Sequence, residues 1–400
     1  MIAAIKIGWR MLTTVSPRLL WKFSFGAGLN NLIAITRFER RRKRNEPYFP
    51  AFTFISLTNR CDLRCRGCWV TATPPTDMPV ETLAQIIEAG KKEGCRFFGL
   101  LGGEPLLYKP LFEILEKHAD CYFQLLTNGQ GLNDEVASKL RKLGNVSPLI
   151  SIEGGPISYA ERRGSSTAYG RAVQALEACR RHGLVFGVAT SVCRSNMVDV
   201  VCDEFLDGLA REGVHYAWYY IFRPAGPNPS PEEALDGPAI DALRTFIVDQ
   251  RLRRSFVIID SYWDDQGRAL CPAATGISVH INASGDVEPC PPVQFADVRA
   301  GTGTSDEFRA AVAHSPFLTQ FRKQIPTVTR GCVLLDSPAA LRDLVKDTGP
   351  RDTTGRDGMA ELAARTPLAG HDRPGHEIPE KSWFYRFAKR HWFFGFGAYG

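Results

Sequence analysis

The sequence has no apolar run long enough to cross a membrane and too few cysteines for a disulfide framework. Charged residues interrupt its apolar stretches before the roughly 18 residues that a membrane helix needs, and no signal peptide with an apolar centre and a small-residue cleavage site is recognisable. The 11 cysteines among 400 residues are sparse and odd in number, which disfavours a secreted disulfide scaffold. We therefore expect a cytoplasmic protein whose clustered thiols are free to bind metal.

The composition is that of a folded globular chain. Hydrophobic residues make up 44% of the sequence and charged residues 23%, which is enough to bury a large core and excludes pervasive disorder. The length exceeds that of one ordinary domain and suits a barrel of about 200–250 residues with appendages.

The positive charge is concentrated at the start of the chain. Residues 1–46 contain ten Lys and Arg against two Glu, whereas the whole chain has a net charge of only +6. Trp9 and Leu12 share a helical stripe with Ile5, opposite Lys6 and Arg10. Such basic amphipathic segments suit an anionic membrane surface, although the same stripe can instead pack on the protein's own body. A nucleic-acid partner is not expected, because no recognised nucleic-acid module accompanies the charge.

From residue 51 onward, short apolar strand patterns alternate with helical ones. The six predicted strands are 51–57, 96–101, 121–127, 148–152, 184–191 and 216–222. They are apolar on both faces, as a parallel sheet covered by helices requires. The alternation predicts an α/β fold, a partial (β/α)6 TIM-like barrel with its chemistry at the C-terminal ends of the strands.

Three cysteines follow the first predicted strand, in LTNRCDLRCRGCW. Thiolates at Cys61, Cys65 and Cys68 can converge on one iron–sulfur cluster, and three thiolates leave one of four irons open to a small molecule. A structural zinc site would instead be closed by a fourth protein ligand. That alternative, a non-enzymatic metal-binding interaction protein, stays open at this point.

The CxxxCxxC motif followed by Trp69 resembles the signature of the radical S-adenosylmethionine (SAM) superfamily. The resemblance implies a [4Fe–4S] cluster on Cys61, Cys65 and Cys68 whose open iron binds the amino and carboxylate groups of SAM. It also implies reductive cleavage of SAM to a 5′-deoxyadenosyl radical, which takes a hydrogen atom from an unactivated C–H bond. A reductant such as flavodoxin or ferredoxin would supply the electron, and the backbone of Trp69 is a candidate contact for the adenine.

Polar residues at later strand ends extend the resemblance. Gly102, Gly103 and Glu104 stand where the family keeps its GGE segment, so we expect the backbone there to approach a ligand closely and Glu104 to accept from the SAM ammonium. Arg223, after the sixth strand, is the expected clamp for an anion or carboxylate. The other expected SAM contacts are Asn128, Ser151, Glu153 and Thr190.

A second cysteine pattern lies beyond the predicted barrel. Cys271, Gly285 and Cys290 read C-x13-G-x4-C, which resembles the opening of SPASM and twitch auxiliary-cluster domains, and Cys332 is the expected third ligand. Because no CxxC follows residue 290, at most one auxiliary iron–sulfur cluster is expected; otherwise these are structural cysteines. The fourth ligand stays open among His280, Asp336, water and the substrate.

Four predicted domains follow from these patterns: a basic arm (1–48), a barrel (49–252), a small auxiliary-cluster domain (253–346), and a loose linker with an aromatic, basic tail (347–400).

The substrate is the open question. The arm favours a lipid or other membrane-associated substrate and a location on the cytoplasmic membrane face. Because many relatives with auxiliary clusters modify peptides, a ribosomal-peptide maturase is the alternative, although 50 residues before the barrel are few for a leader-peptide-binding domain. A small-molecule substrate is also compatible with the sequence.

Overall fold

The computed structural model describes residues 2–260 and 262–391, and its centre is an open sheet of parallel strands. In chain order the first seven strands are β1 (Phe52–Thr58), β2 (Phe97–Gly102), β3 (Tyr122–Thr127), β4 (Val146–Ser151), β5 (Gly187–Val192), β6 (Tyr216–Ile221) and β7 (Val257–Asp260). They lie side by side in sequence order, each parallel to the next. Two further strands continue the sheet beyond β1: β8 (Ser278–Ile281), parallel to β1, and β9 (Val287–Glu288), antiparallel to β8.

The six strands predicted from the sequence are confirmed, but β7 was missed, so the partial barrel has seven parallel strands in place of six. β7 is four residues long, too short for its pattern to be told from a loop. β1 is buried at every position, because helices cover its outer face and other side chains fill the inside of the barrel.

Helices follow the strands on the outside of the sheet and continue to the end of the described chain. The barrel helices are α4 (Val80–Lys92), α5 (Leu111–Lys117), α6 (Asp134–Leu143), α7 (Pro156–Arg163), α8 (Ala168–Arg181), α9 (Met197–Val200), α10 (Asp203–Arg211) and α11 (Gly237–Gln250), after the arm helices α1 (Ile2–Thr14), α2 (Pro17–Phe23) and α3 (Asn30–Lys43). The later helices are α12 (Pro272–Thr275), α13 (Ser305–Ala313), α14 (Pro316–Val328), α15 (Val333–Asp336), α16 (Pro338–Thr348), α17 (Gly358–Ala364) and α18 (Trp383–His391).

The N-terminal arm packs across the N-terminal ends of the strands. A π-helical stretch at Ser24–Leu29 joins α2 to α3, so the chain stays helical from residue 17 to residue 43. Arg10 Nη2 donates to the carbonyl oxygen of Ala210 (2.8 Å), and Lys22 Nζ donates to that of Leu143 (2.7 Å). Both acceptors lie in the last turn of a helix, α10 before β6 and α6 before β4. One face of the arm therefore belongs to the body of the protein.

The chain beyond the barrel is more ordered than its composition suggests. Residues 347–378 were expected to be a loose linker, because Gly, Pro and Asp are frequent there. In the structure this stretch contains α17 and strand β11 (Arg351–Asp352), which pairs with β10 (Phe295–Ala296), and His371 is buried within it. The linker prediction is wrong, because long-range contacts such as Arg373 Nε to Asp241 Oδ1 (2.7 Å) hold the segment to the barrel.

The last described helix, α18, is anchored by buried charges. Lys389 Nζ lies 2.9 Å from Asp260 Oδ1, and Arg244 Nη1 lies 2.9 Å from Glu380 Oε1, with all four side chains almost fully buried. The end of the chain was expected to be an aromatic, basic tail, but Lys389 is buried in the body of the protein. Phe394, an aromatic residue of that predicted tail, lies outside the described residues. No helix within 2–260 or 262–391 combines the length and apolarity needed to span a membrane.

Candidate active site

One cavity at the C-terminal ends of the strands collects nearly all the residues singled out from the sequence. It has a volume of about 740 Å³, and its walls come from the loops after β1 to β7 and from the segment beyond β7. The first cysteine triad (Cys61, Cys65 and Cys68) and the second cysteine triad (Cys271, Cys290 and Cys332) both line it. Two cysteine groups that are far apart in sequence thus face a common space.

The loop that carries the first cysteine triad is fixed at its base and on its far side. Asn59 Nδ2 donates to the carbonyl oxygens of Thr71 (3.0 Å) and Pro74 (2.8 Å), which closes the loop. Gly226, in the segment after β6, packs against the cysteine loop. Its φ is +87°, and a Cβ at this position would clash with the carbonyl oxygen of Cys68. The conformation of the loop therefore depends on a glycine that is distant in the chain and could not be identified from the sequence of the loop.

Polar hydrogens point at two sulfurs of the first triad. The backbone N–H of Leu63 and Nδ2 of Asn128 donate to Cys61 Sγ (3.5 and 3.8 Å), and Arg163 Nη1 donates to Cys65 Sγ (3.5 Å). Such donors suit thiolates that ligate a cluster, and none of the chain's cysteines is in a disulfide.

Burial affects the ionisation of two of these thiols. It raises the pKa of Cys61 to about 12 and also raises that of Cys68, so a bound cation would favour their thiolate forms. In the described part of the chain no three His, Cys, Asp or Glu side chains are close enough to hold a single metal ion. Cys thiolates are the usual protein ligands of iron–sulfur clusters, so the donor set of the first triad is compatible with such a cluster.

The GGE segment supports the cysteine loop, and the carboxylate of its Glu104 does not face the cavity. A Cβ on Gly102 or Gly103 would clash with the carbonyl oxygens of Thr58 and Arg60, so these glycines permit close packing of protein on protein. Both glycines line the cavity but Glu104 does not, being 1% exposed. The expected direct contact of Glu104 with the SAM ammonium is therefore not supported.

Glu104 instead joins the ends of β2 and β3. Its Oε1 accepts from Thr127 Oγ1 (2.6 Å) and the backbone N–H of Leu106 (3.1 Å), and its Oε2 accepts from the backbone N–H of Asn128 (2.7 Å). Burial raises the pKa of Glu104 to about 7 against the effect of these donors. Asn128 itself lines the cavity and contacts Cys61. Glu104 therefore acts on the cysteine loop through Asn128.

Glu153 and Ser151, at the end of β4, both line the cavity. Glu153 Oε1 accepts from Arg163 Nη2 (2.5 Å), and Oε2 accepts from the backbone N–H of Ser191 (3.0 Å). Arg163, the last residue of α7, was missed by sequence reasoning, because a basic residue at a helix C-terminus is ordinary.

Thr190, expected to reach SAM, is buried in the sheet, where it donates to the carbonyl oxygen of Ile152 (2.8 Å), and it does not line the cavity.

Two candidate ligands for the second triad lie elsewhere. Both ring nitrogens of His280 are engaged, Nε2 with Ser56 Oγ (2.8 Å) and Nδ1 with Glu288 Oε2 (2.6 Å), and its ring meets Trp69 edge-on. Asp336 accepts from Thr329 Oγ1 (2.8 Å) and does not line the cavity. The structure therefore supports neither His280 nor Asp336 as the fourth ligand. Trp69, the candidate contact for the adenine, lines the cavity.

Arg223 reaches the second cysteine triad. Its Nε lies 3.1 Å from Cys332 Sγ, and its Nη1 donates to the hydroxyl of Tyr262 (3.1 Å), whose ring lies under the guanidinium. The sequence had assigned Arg223 to SAM or to an anionic group of the substrate. In the structure its closest sulfur contact is with an auxiliary cysteine.

Part of this chain is similar to known proteins. Residues 55–200 match the model of the Radical SAM superfamily. The chain is 34% identical over 189 residues to the pre-heme d1 synthase of Dinoroseobacter shibae, covering 45% of this chain and 46% of that protein. It is 26% identical over 269 residues to the sporulation killing factor maturation protein SkfB of Bacillus subtilis, covering 64% of this chain and 63% of that protein. The chain thus spans only about half to two thirds of these relatives.

Solved structures share the fold. Streptococcus suis SuiB bound to S-adenosylmethionine superposes with a TM-score of 0.59 at 16% identity, over 71% of this chain and 70% of SuiB. SuiB bound to precursor peptide SuiA superposes equally well, with a TM-score of 0.59 at 15% identity, over 72% of this chain and 70% of SuiB. At this identity the likeness shows the fold alone.

Proposed function

Given that residues 55–200 are a radical SAM domain, we propose that this chain is an enzyme that abstracts a hydrogen atom from its substrate within the cavity described above. The observation that carries the proposal is the convergence of two cysteine triads on one cavity. A [4Fe–4S] cluster on Cys61, Cys65 and Cys68 would supply the electron that cleaves SAM to the 5′-deoxyadenosyl radical. A purely structural metal site would not need a cavity of about 740 Å³ beside it.

The residues around the first triad would orient the reactants and limit access of water. Asn128 and Arg163 direct N–H groups to Cys61 and Cys65, and Glu153 holds Arg163 in place. Ser151 lines the wall beside them and is available to hydrogen-bond a polar ligand. The second triad would hold one auxiliary iron–sulfur cluster at the wall of the same cavity.

We also propose that the arm binds a membrane surface. Seven large apolar side chains of the arm remain 42–71% exposed: Ile5, Trp9, Leu12, Trp21, Phe25, Leu29 and Ile33. The last four are spaced four residues apart, which places them along one side of the helical segment. The basic run Arg40, Arg41, Arg42, Lys43 and Arg44 follows these side chains in the chain. Exposed apolar residues beside basic ones suit the headgroup region of an anionic bilayer.

The positions of the arm and the cavity restrict the substrate. The arm covers the N-terminal ends of the strands, whereas the cavity lies at their C-terminal ends. Strands of six or seven residues separate the two by about 20 Å. A lipid in the same bilayer would have to leave the membrane to reach the cavity. A peptide or a protein segment near the membrane would not, so this geometry favours a peptide substrate over a lipid, in keeping with the names of SkfB and the SuiB complex.

The test is anaerobic reconstitution with iron and sulfide, followed by assay of 5′-deoxyadenosine with SAM and dithionite. We expect the wild type to form deoxyadenosine and the Cys61/Cys65/Cys68→Ala variant to form none while keeping about four irons at the second triad. Replacing Cys271, Cys290 and Cys332 by Ala should remove those irons. Zinc in place of iron, with no cleavage of SAM, would favour the metal-binding interaction protein and refute the proposal.

A further inference from the structure

Arg223 is a half-buried cation whose hydrogen bonds reach a sulfur and a phenolic hydroxyl. It follows β6, and its guanidinium contacts Cys332 Sγ (3.1 Å), the Tyr262 hydroxyl (3.1 Å) and the Tyr262 ring, whose centroid is 4.7 Å from Cζ. Within residues 2–260 and 262–391, its polar contacts include no Asp or Glu oxygen. A neutral hydroxyl and an aromatic face compensate a buried charge only in part.

Arg163 and Arg244 differ from Arg223, because each is paired with a carboxylate. Arg163, beside the first triad, lies 2.5 Å from Glu153 Oε1, and the buried Arg244 lies 2.9 Å from Glu380 Oε1. Among the described residues no carboxylate oxygen takes that place at Arg223, where Nε instead faces a sulfur. The group closest to Nε that can carry negative charge is the sulfur of Cys332.

We propose that Arg223 is the counter-charge of an iron–sulfur cluster held by Cys271, Cys290 and Cys332, and that it raises the reduction potential of that cluster. This inference rests on the proposed auxiliary cluster. Reduction adds one electron to a group that its thiolates already make negative. A nearby cation stabilises the reduced form more than the oxidised form, and an N–H donated to a ligating sulfur acts in the same direction. Arg223 is thus a positioning residue for the second triad.

The structure also explains why this charge stays in place. The Tyr262 ring lies against one face of the guanidinium, and the Tyr262 hydroxyl also accepts from the backbone N–H of Ile221 at the end of β6. The side chain is therefore fixed to the strand that leads to it. Because Arg223 also lines the shared cavity, the cluster and a bound substrate would both lie near the same charge.

The experiment uses the full chain with Cys61, Cys65 and Cys68 replaced by Ala, so that only the second triad can hold a cluster. In this background the parent, R223Q and R223K are reconstituted with iron and sulfide, and the cluster is titrated anaerobically against mediators by electron paramagnetic resonance. R66Q is the matched control, since Arg66 lines the same cavity but pairs with Glu232 (2.7 Å) and Glu233 (2.8 Å).

We expect the ratio of reduced to oxidised cluster in R223Q, at the parent's midpoint potential, to fall at least tenfold, about 59 mV for a one-electron couple. R223K, which keeps the charge, should stay closer to the parent than R223Q, and R66Q should match the parent. Loss of iron from R223Q but not from R223K, with both variants folded, would equally support the counter-charge. If R223Q holds its cluster and titrates like the parent, or if R223K shifts as far as R223Q, the inference is wrong. An iron-free parent would instead refute the auxiliary cluster itself.

Discussion

Replacing Trp9 and Trp21 by Ala should weaken membrane binding without unfolding the protein. The two side chains are 71% and 65% exposed, so the fold gains little from them. Full burial of a large apolar side chain is worth about 1.5–3 kcal/mol, and the part still exposed here corresponds to roughly 1–2 kcal/mol for each Trp. The double substitution should therefore cost at least about 2 kcal/mol of binding, which is on the order of a 30-fold weaker partition coefficient.

The assay is flotation of the full chain with vesicles that contain phosphatidylserine, compared with vesicles of phosphatidylcholine alone. Binding should require the anionic lipid and should weaken as salt is added, because the cations of the arm contribute about 1 kcal/mol each near a negative surface and are screened by salt. Thermal melting of the variant should match that of the wild type. A shifted melting point would show that the two tryptophans support the fold.

The matched control is the Ile157→Ala/Val198→Ala variant. These side chains are 75% and 80% exposed, but they follow β4 and β5, at the cavity end of the barrel. We expect this variant to float like the wild type. If it loses binding while the tryptophan variant keeps it, the orientation proposed for the protein on the membrane is reversed, and the argument against a lipid substrate no longer holds.

Three further outcomes are expected. E104Q should lower the free energy of unfolding by about 1–3 kcal/mol in urea denaturation, since an amide cannot accept from all three donors around Glu104; an unchanged midpoint would contradict the role assigned to this carboxylate. E380Q should cost about 3–5 kcal/mol by the same measurement, because Glu380 is the buried partner of Arg244 and Arg251; a loss below 1 kcal/mol would contradict the anchoring of α18. Gly226→Ala should leave a folded protein with less iron at the first triad than G170A, a substitution in open space on α8; equal iron contents would show that the loop tolerates the contact.

The barrel and the first triad were predictable because their signals are local. Each of the six predicted strands is an apolar run bounded by turns, and Cys61, Cys65 and Cys68 lie within eight residues of one another. The strand β7 and Arg163 were not predictable, since a four-residue strand and a basic residue at a helix end look like ordinary loop and surface features. The Gly- and Pro-rich stretch before α18 looked like a linker, because composition does not record contacts with residues more than 100 positions away.

The sequence by itself shows where the cysteines and the positive charge lie along the chain, predicts a parallel sheet, and contains a segment, residues 55–200, that matches the Radical SAM superfamily. These signals are local, because motif spacing and periodicity act over a few residues. Only the tertiary structure decided that both triads share one cavity, that Glu104 is turned away from that cavity, and that Arg223 contacts Cys332. It also decided that the arm lies at the opposite end of the barrel from the chemistry. The reason is physical: parallel strands gather the residues at their C-terminal ends, whatever the distance between those residues in sequence.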